Sequence, residues 1–185
     1  MKKMTQEEGL QHIKDCMKNK IESCAYFIWD ETAVHYGEDG GFDVKKAKQH
    51  NLKMFDIKKR GGAMITHKGD ICYALFTAET SDFGIQIREF LVTKLKEKNI
   101  TATMVKNDLL IDGKKFLGDM KQTINNFNYY GGHISIVVDV DLIKDICTKP
   151  MQKQPVGLSE YGITQEEVEC WLQEFWQNFK KIKDS

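Results

Sequence analysis

The chain has 185 residues, with 27 basic and 27 acidic side chains that balance to zero formal charge. That length holds one domain with a substantial core, and the charge balance lends no support to general nucleic-acid binding. Hydrophobic residues at 41% and only two prolines exclude a disordered chain, and no apolar run approaches the length of a membrane span.

The first predicted element follows TQEE at residues 5–8, where Thr5 and Glu8 form a capping box for a helix over about 6–19. The opening stretch MKKMTQEEGLQHIKDCMKNK lacks the apolar core of a signal peptide, so a cytoplasmic protein without a membrane partner is expected. Strand-like pieces follow at 24–30 and 53–59, with a short helix over 43–51 between them. Next comes DICYALFTA at 70–78, then a helix over about 82–98 whose last turn carries Lys94, Lys96 and Lys98, where cations suit the dipole. Further strands are expected at 101–105, 107–112, 114–118 and 133–141. The segment 149–162 holds both prolines and reads as a surface connection. A second TQEE, at 164–167, opens a helix over about 165–182, with Val168, Trp171, Leu172, Phe175, Trp176 and Phe179 recurring at three and four residues. A β-rich middle with helices around it predicts an α+β fold with a mixed, largely antiparallel sheet.

Five cysteines (Cys16, Cys24, Cys72, Cys147, Cys170) show no CxxC spacing and read as free thiols, mostly buried. No Cys or His pair has the spacing of a zinc site.

Three glycine-punctuated stretches are candidates for chemistry. In the first, Arg60 precedes Gly61 and Gly62, which permit close approach of the backbone to a ligand; a Gly-Gly is by itself usually only a turn. His67, a few residues on, reads as a surface or satisfied histidine sooner than a catalyst. The second is NDLLIDGKKFLGDM, where Asp112-Gly113 marks a hairpin turn. Alternation on the following strand sends Lys114 and Lys115 to opposite faces, and an inward lysine needs a carboxylate or a bound anion. The third is YYGGHISIVVDVD, read as a Gly-Gly turn feeding a core strand, with His133 at its start. Composition and spacing do not say whether the three converge.

In this order the segments FIWDETAVHYG, RGGAMITHKGDICY, NDLLIDGKKFLG and HISIVVDVDL resemble the lipoate–protein ligase family, relatives of biotin ligases, over about residues 25–145. The resemblance implies a biotin/lipoate ligase-like catalytic domain spanning 1–185. Its sheet would bind a lipoyl or octanoyl chain in a narrow apolar tunnel. ATP would serve as the activating substrate and Mg2+ as its ion, giving an acyl-adenylate and then transfer to a lysine. The acceptor would be a lipoyl domain of the dehydrogenase E2 or glycine cleavage H protein type. By position, Lys115 matches the family's essential lysine, stabilising charge that develops in both half-reactions, and Lys114 becomes its solvated neighbour. Arg60, Gly61, Gly62 and Ala63 are implied around the acyl carbonyl and phosphates, with Gly118 closing the hairpin motif. Asn107 and Asp108 are implied beside the adenylate, Asp108 as the magnesium ligand. His133 matches a family histidine of unassigned role.

The departures are Arg60 in place of a first glycine, and Asp119 and Met120 in place of small residues, which would narrow the tunnel or add a charge to it. The family's C-terminal accessory domain is not expected within these residues, so adenylation would need a separate accessory chain as a partner or would be absent. The GRGRxGRxW-type loop of biotin ligases is not found. Two other readings stay open: an octanoyltransferase using acyl carrier protein, and a non-catalytic member that binds a ligand or protein. The positions where octanoyltransferases carry a nucleophilic cysteine hold Thr101–Thr103 or Asn128–Tyr130 here.

Overall fold

The computed structural model describes residues 1–56, 63–80 and 82–183. Its main sheet is built from β1 (Lys2–Met4), β2 (Ser23–Ile28), β6 (Ile71–Thr77), β10 (Phe127–Ile134), β9 (Lys114–Ile124), β8 (Asp108–Ile111) and β7 (Ala102–Val105), in that spatial order. Every pairing is antiparallel except β1 with β2. A smaller sheet places β3 (Ala33–Tyr36) between β4 (Lys53–Asp56) and β5 (Ala63–Thr66).

Alternation along the strands gives the main sheet two distinct faces. Tyr26, Ile71, Tyr73, Leu75, Leu109, Leu117, Tyr130 and Ile134 face one way, into the largest core cluster. The two long helices α3 (Phe83–Glu97) and α5 (Gln165–Lys183) cover them with Phe83, Ile87, Leu91, Trp171, Leu172, Phe175 and Phe179. The aromatic stripe predicted for the last helix is therefore core. Ala25, Phe27, Cys72, Ala74, Phe76, Phe127 and Tyr129 face the other way, against Leu10, Ile13 and Cys16 of α1 (Gln6–Asn19) and Phe55 of the small sheet. The capping box predicted at Thr5 and Glu8 is formed. The short helices α2 (Val44–Gln49) and α4 (Val140–Ile146) pack with the small sheet around Val34, Ala47, Ile65, Ile143 and Ile146.

Six expectations need correction. The strand expected over 133–141 ends at Ile134, and Asp139 then caps α4 by accepting from the Leu142 N–H. Gly131 and Gly132 lie within β10 and form no turn. The strand expected to stop at 118 continues to Ile124, turning into β10 through Asn125 and Asn126, both at positive φ; Asn is among the few residues that tolerate this region. The segment 149–162 is no surface connection: Val156 and Leu158 are fully buried, and Lys115 exchanges backbone hydrogen bonds with Gln154 and Val156 beside β9. The four-residue strands β3 and β5, and β1, were not anticipated at all. None of the five cysteines forms a disulfide, but they are not mostly buried: Cys16 and Cys24 are buried, Cys72 and Cys147 half-buried and Cys170 exposed. Residues 57–59 of the strand expected over 53–59 lie outside the described residues.

Candidate active site

The hairpin β8–β9 builds the site's cationic end. Asp112 and Gly113 both sit at positive φ, the two-residue geometry that matches the twist of the flanking strands. The register then shifts: Leu110 pairs with Lys115, but Leu109 pairs with Leu117, leaving Phe116 as an extra residue. This bulge, with Phe116 buried in the main core, puts Lys115 and Gly118 on one face. Lys115 folds over Gly118 so closely that a Cβ there would stand 2.6 Å from its Nζ. A side chain at 118 would displace the ammonium group.

Lys115 Nζ lies 2.8 Å from Asp108 Oδ1, and Lys153 Nζ lies 2.5 Å from Asp108 Oδ2. Burial pushes the Asp108 carboxyl up, but the two ammonium groups more than offset this and hold it below the usual carboxylate range. Two cations share one anion, leaving a net positive charge on a surface where Lys115 keeps 40% of its side chain exposed. Such a cluster suits a carboxylate or a phosphate. Asp108 does not fit the magnesium role expected of it, because both its oxygens are matched by lysines. Among the described residues no group of three or more His, Cys, Asp or Glu is placed to hold a metal.

His133 stands directly across from Gly118 in the β9–β10 register. Its Nε2 donates to Asp70 Oδ2 at 2.9 Å, and that carboxylate also accepts from the His67 N–H at 2.8 Å and, through Oδ1, from the Ile136 N–H at 2.8 Å. Burial raises the Asp70 carboxyl, but the donors from His133 and His67 dominate and hold it at about 2. His67 accepts the Asp139 N–H on Nε2 at 3.1 Å, so its proton resides on Nδ1. That Nδ1 lies buried 3.8 Å from Asp70 Oδ2 with no hydrogen-bond partner among the described residues, so His67 is buried but only half satisfied, which corrects the sequence-based expectation. Asp70 ties the start of β6 to the exit of β10 and thereby orients His133.

Asp119 does not enter this face. It points to the helix side, where it forms a buried ion pair with Arg88 of α3. Burial raises its carboxyl, with Arg88 opposing. The face that carries Lys115 therefore receives no charge from position 119, contrary to the sequence-based expectation. The other odd substitution, Met120, does share the site's face, opposite Gly131, and is exposed. Gly131 and Gly132 serve two tyrosines on opposite faces: a Cβ at Gly132 would stand 2.2 Å from the Tyr73 hydroxyl, and one at Gly131 2.2 Å from that of Tyr129.

Of the residues singled out from sequence, Lys115, Asp108, Gly118 and His133 come together on one face of adjoining strands. Asn107 is exposed in the turn before β8, where its carbonyl accepts from the Asp119 N–H. Ala63 opens β5 opposite Tyr36 in the small sheet. Arg60, Gly61 and Gly62 lie outside the described residues. Sequence reasoning missed Lys153, Arg88 and Asp70. Lys153 sits in a segment read as a surface connection, and nothing in its spacing signals that the chain returns to β9.

The sequence matches the family described as Lipoyl protein ligase A/B catalytic domain over residues 6–180. The chain belongs to this family. No curated protein is similar enough in sequence to count as a match. Among solved structures, this lipoyl ligase-family chain is similar to P. falciparum LipL1 in complex with lipoate, with a TM-score of 0.79 and 17% identity. That match covers 98% of this chain and 62% of the other. A bipartite lipoate protein ligase from Thermoplasma acidophilum, described with its E2 lipoyl domain, gives a TM-score of 0.75 at 13% identity, covering 95% of this chain and 80% of that one. A lipoate-protein ligase A bound with ATP gives 0.75 at 12% identity, covering 95% and 82%. At these identities the structural likeness establishes the fold, while the family rests on the match along the chain. Lys115 thus occupies a lipoyl ligase fold on the face opposite its two long helices.

Proposed function

We propose that this chain activates lipoate or octanoate with ATP as an acyl-adenylate and passes the acyl group to a lysine of an acceptor domain. The observation that carries this reading is the Lys115–Asp108–Lys153 cluster, two ammonium groups on one carboxylate, set over Gly118 on the open face of a lipoyl ligase fold. In the first half-reaction a carboxylate oxygen attacks the α-phosphorus of ATP and the bond to pyrophosphate breaks. In the second, a neutral acceptor lysine attacks the acyl carbon, AMP departs, and the amine loses its proton. Both steps build negative charge on oxygens beside the acyl carbon or the α-phosphate. Lys115, released from Asp108 by the arriving anion, donates to those oxygens, and Lys153 keeps Asp108 neutralised meanwhile.

The acceptor is a lipoyl domain of the E2 or H-protein type, and a separate accessory chain assists; the bipartite relative supports that arrangement. A thioester route gains nothing from the cysteine on this face. Cys72 accepts a hydrogen bond from Trp29 Nε1 at 3.1 Å, yet burial pushes its thiol up to about 12, far from a thiolate nucleophile.

The test is lipoate- or octanoate-dependent ATP–pyrophosphate exchange with purified protein and magnesium, with and without candidate accessory chains. Exchange is expected, falling about 100-fold or more in Lys115→Ala. A folded protein that exchanges under none of these conditions would sink the ligase reading.

A further inference from the structure

When an amine attacks an acyl carbon, its nitrogen carries an extra proton, and transfer stalls until a base removes it. Lys115 and Lys153 are both engaged with Asp108 as its cations, so neither serves as that base. Burial pushes the Cys72 thiol up to about 12 and raises the Tyr129 phenol as well, which leaves both protonated. His133 differs from all of these. Its Nε2 lies 2.9 Å from Asp70 Oδ2, and a carboxylate can only accept, so the neutral ring carries its proton on Nε2 and a lone pair on Nδ1. Among the described residues no group bonds that Nδ1. The His133 side chain keeps 13% of its surface exposed, while Asp70 keeps none. Asp70 is fixed in turn by the His67 and Ile136 N–H groups, each at 2.8 Å. A buried carboxylate that holds an imidazole by one nitrogen and leaves the other free equips it as a general base. It fixes the tautomer and the ring orientation, and it stabilises the imidazolium that forms.

His133 also stands close to the cationic cluster. It pairs directly with Gly118 across β9 and β10, and paired positions put their Cβ atoms about 5 Å apart on one face. Lys115 Nζ stands 2.6 Å from the Gly118 Cβ position, so it lies within about 8 Å of the His133 Cβ. An acyl carbonyl accepting from Lys115 over Gly118 falls in that interval, beside the imidazole. We infer that His133, oriented by Asp70, is the general base that takes the proton of the acceptor lysine. The inference rests on the ligase reading and adds a catalytic residue to its second half-reaction. The acceptor nitrogen attacks the acyl carbon and the N–C bond forms. The proton on that nitrogen passes to His133 Nδ1. The carbonyl re-forms as the C–O bond to the phosphate breaks, and AMP leaves with the electron pair. His133 then gives its proton to water. The first half-reaction, in which a carboxylate attacks phosphorus, moves no proton and makes no demand on the ring.

The experiment supplies octanoyl-AMP directly to the native protein, His133→Ala and His133→Gln, and follows acyl transfer to two nucleophiles by mass spectrometry. One is a purified apo lipoyl domain of the E2 type, and the other is hydroxylamine. On attack the hydroxylamine nitrogen becomes a far stronger acid than a lysine nitrogen, so water suffices as its base. His133→Gln can still donate to Asp70, which keeps the buried joint in case the alanine variant does not fold. Transfer to the lipoyl domain is expected to fall about 100-fold or more in both variants, with hydroxylamine transfer changed only a few-fold. Added imidazole is expected to restore part of the lysine transfer in His133→Ala. Equal losses with both nucleophiles would overturn the inference, as would lipoyl transfer that is absent from the native protein or unchanged in a folded variant. Exchange of ATP and pyrophosphate, run in parallel, separates the two readings. Transfer that depends on His133 without exchange would keep the base and remove activation by ATP. Exchange with no dependence of transfer on His133 would do the reverse.

Discussion

Two carboxylates anchor this face of the molecule, and they are built differently. Asp70 is fully buried and receives two backbone N–H groups and the His133 ring. Asp108 is partly exposed and receives, among the described residues, the flexible ends of Lys115 and Lys153. Fixed donors around a dry carboxylate make a joint that cannot exchange partners without leaving buried groups unpaired. Mobile ammonium groups around a wet one can leave for a competing anion at little cost, since exposed ion pairs contribute only about 0–1 kcal/mol. Rigidity and availability are thus assigned to separate residues on neighbouring strands: Asp70 holds the scaffold and Asp108 stores the cations.

That contrast can be broken experimentally. Asp70→Ala should cost about 3–5 kcal/mol in chemical denaturation, because it strands His133 and two buried N–H groups. Since the carboxyl is held at about 2, below its ordinary value of roughly 3.9, the stability it confers is complete above that ordinary value. It is lost as pH falls toward 2. Arg88→Met should cost about 3 kcal/mol by leaving Asp119 buried and unpaired, and adding Asp119→Leu should recover most of that loss. A double variant no more stable than Arg88→Met would mean the pair was not carrying the penalty.

A third measurement sharpens the picture on the small-sheet side. Burial, aided by the nearby His133, lowers the His35 imidazole to about 4. Its ordinary value is about 6.5, so the unfolded chain takes up the proton first. The associated stability is complete above 6.5 and is lost as pH falls toward 4. Between pH 7 and 5 the native protein should lose roughly 2 kcal/mol from this source, a slope that His35→Phe should flatten. The smallest effect belongs to Asp108→Ala, expected to change stability by less than about 1 kcal/mol. A loss there comparable to that of Asp70→Ala would erase the distinction between the two carboxylates.

Much of the site's hairpin was legible from residues. Asp112-Gly113 marks a two-residue turn, and the need of a strand-borne lysine for a negative partner holds for Lys115, which finds Asp108 seven residues earlier across the turn. Such local pairings follow from turn chemistry and alternation, which act over a few residues. Lys153 and Asp70 were illegible for the same reason inverted. Lys153 reaches Asp108 across 45 residues, and Asp70 reaches Ile136 across 66. No periodicity links positions so far apart.

Position 119 shows how register decides what composition cannot. A carboxylate next to Gly118 reads as a charge entering the tunnel, yet the pleat turns it to the helix face and Arg88 meets it there. Gly131 and Gly132 repeat the lesson: the same Gly-Gly that suggests a turn instead admits one tyrosine on each side of a continuous strand.

Hydrophobic periodicity, the capping boxes and the Asp-Gly turn were sufficient to dictate the four longest or best-marked helices and the β8–β9 hairpin, because each is stabilised by neighbours in sequence. The return of residues 149–156 alongside β9, the burial of Asp119 with Arg88 and the placement of Tyr129 over Gly131 depend on which strand face meets which helix. That choice is made by burying the apolar surface of the whole chain at once.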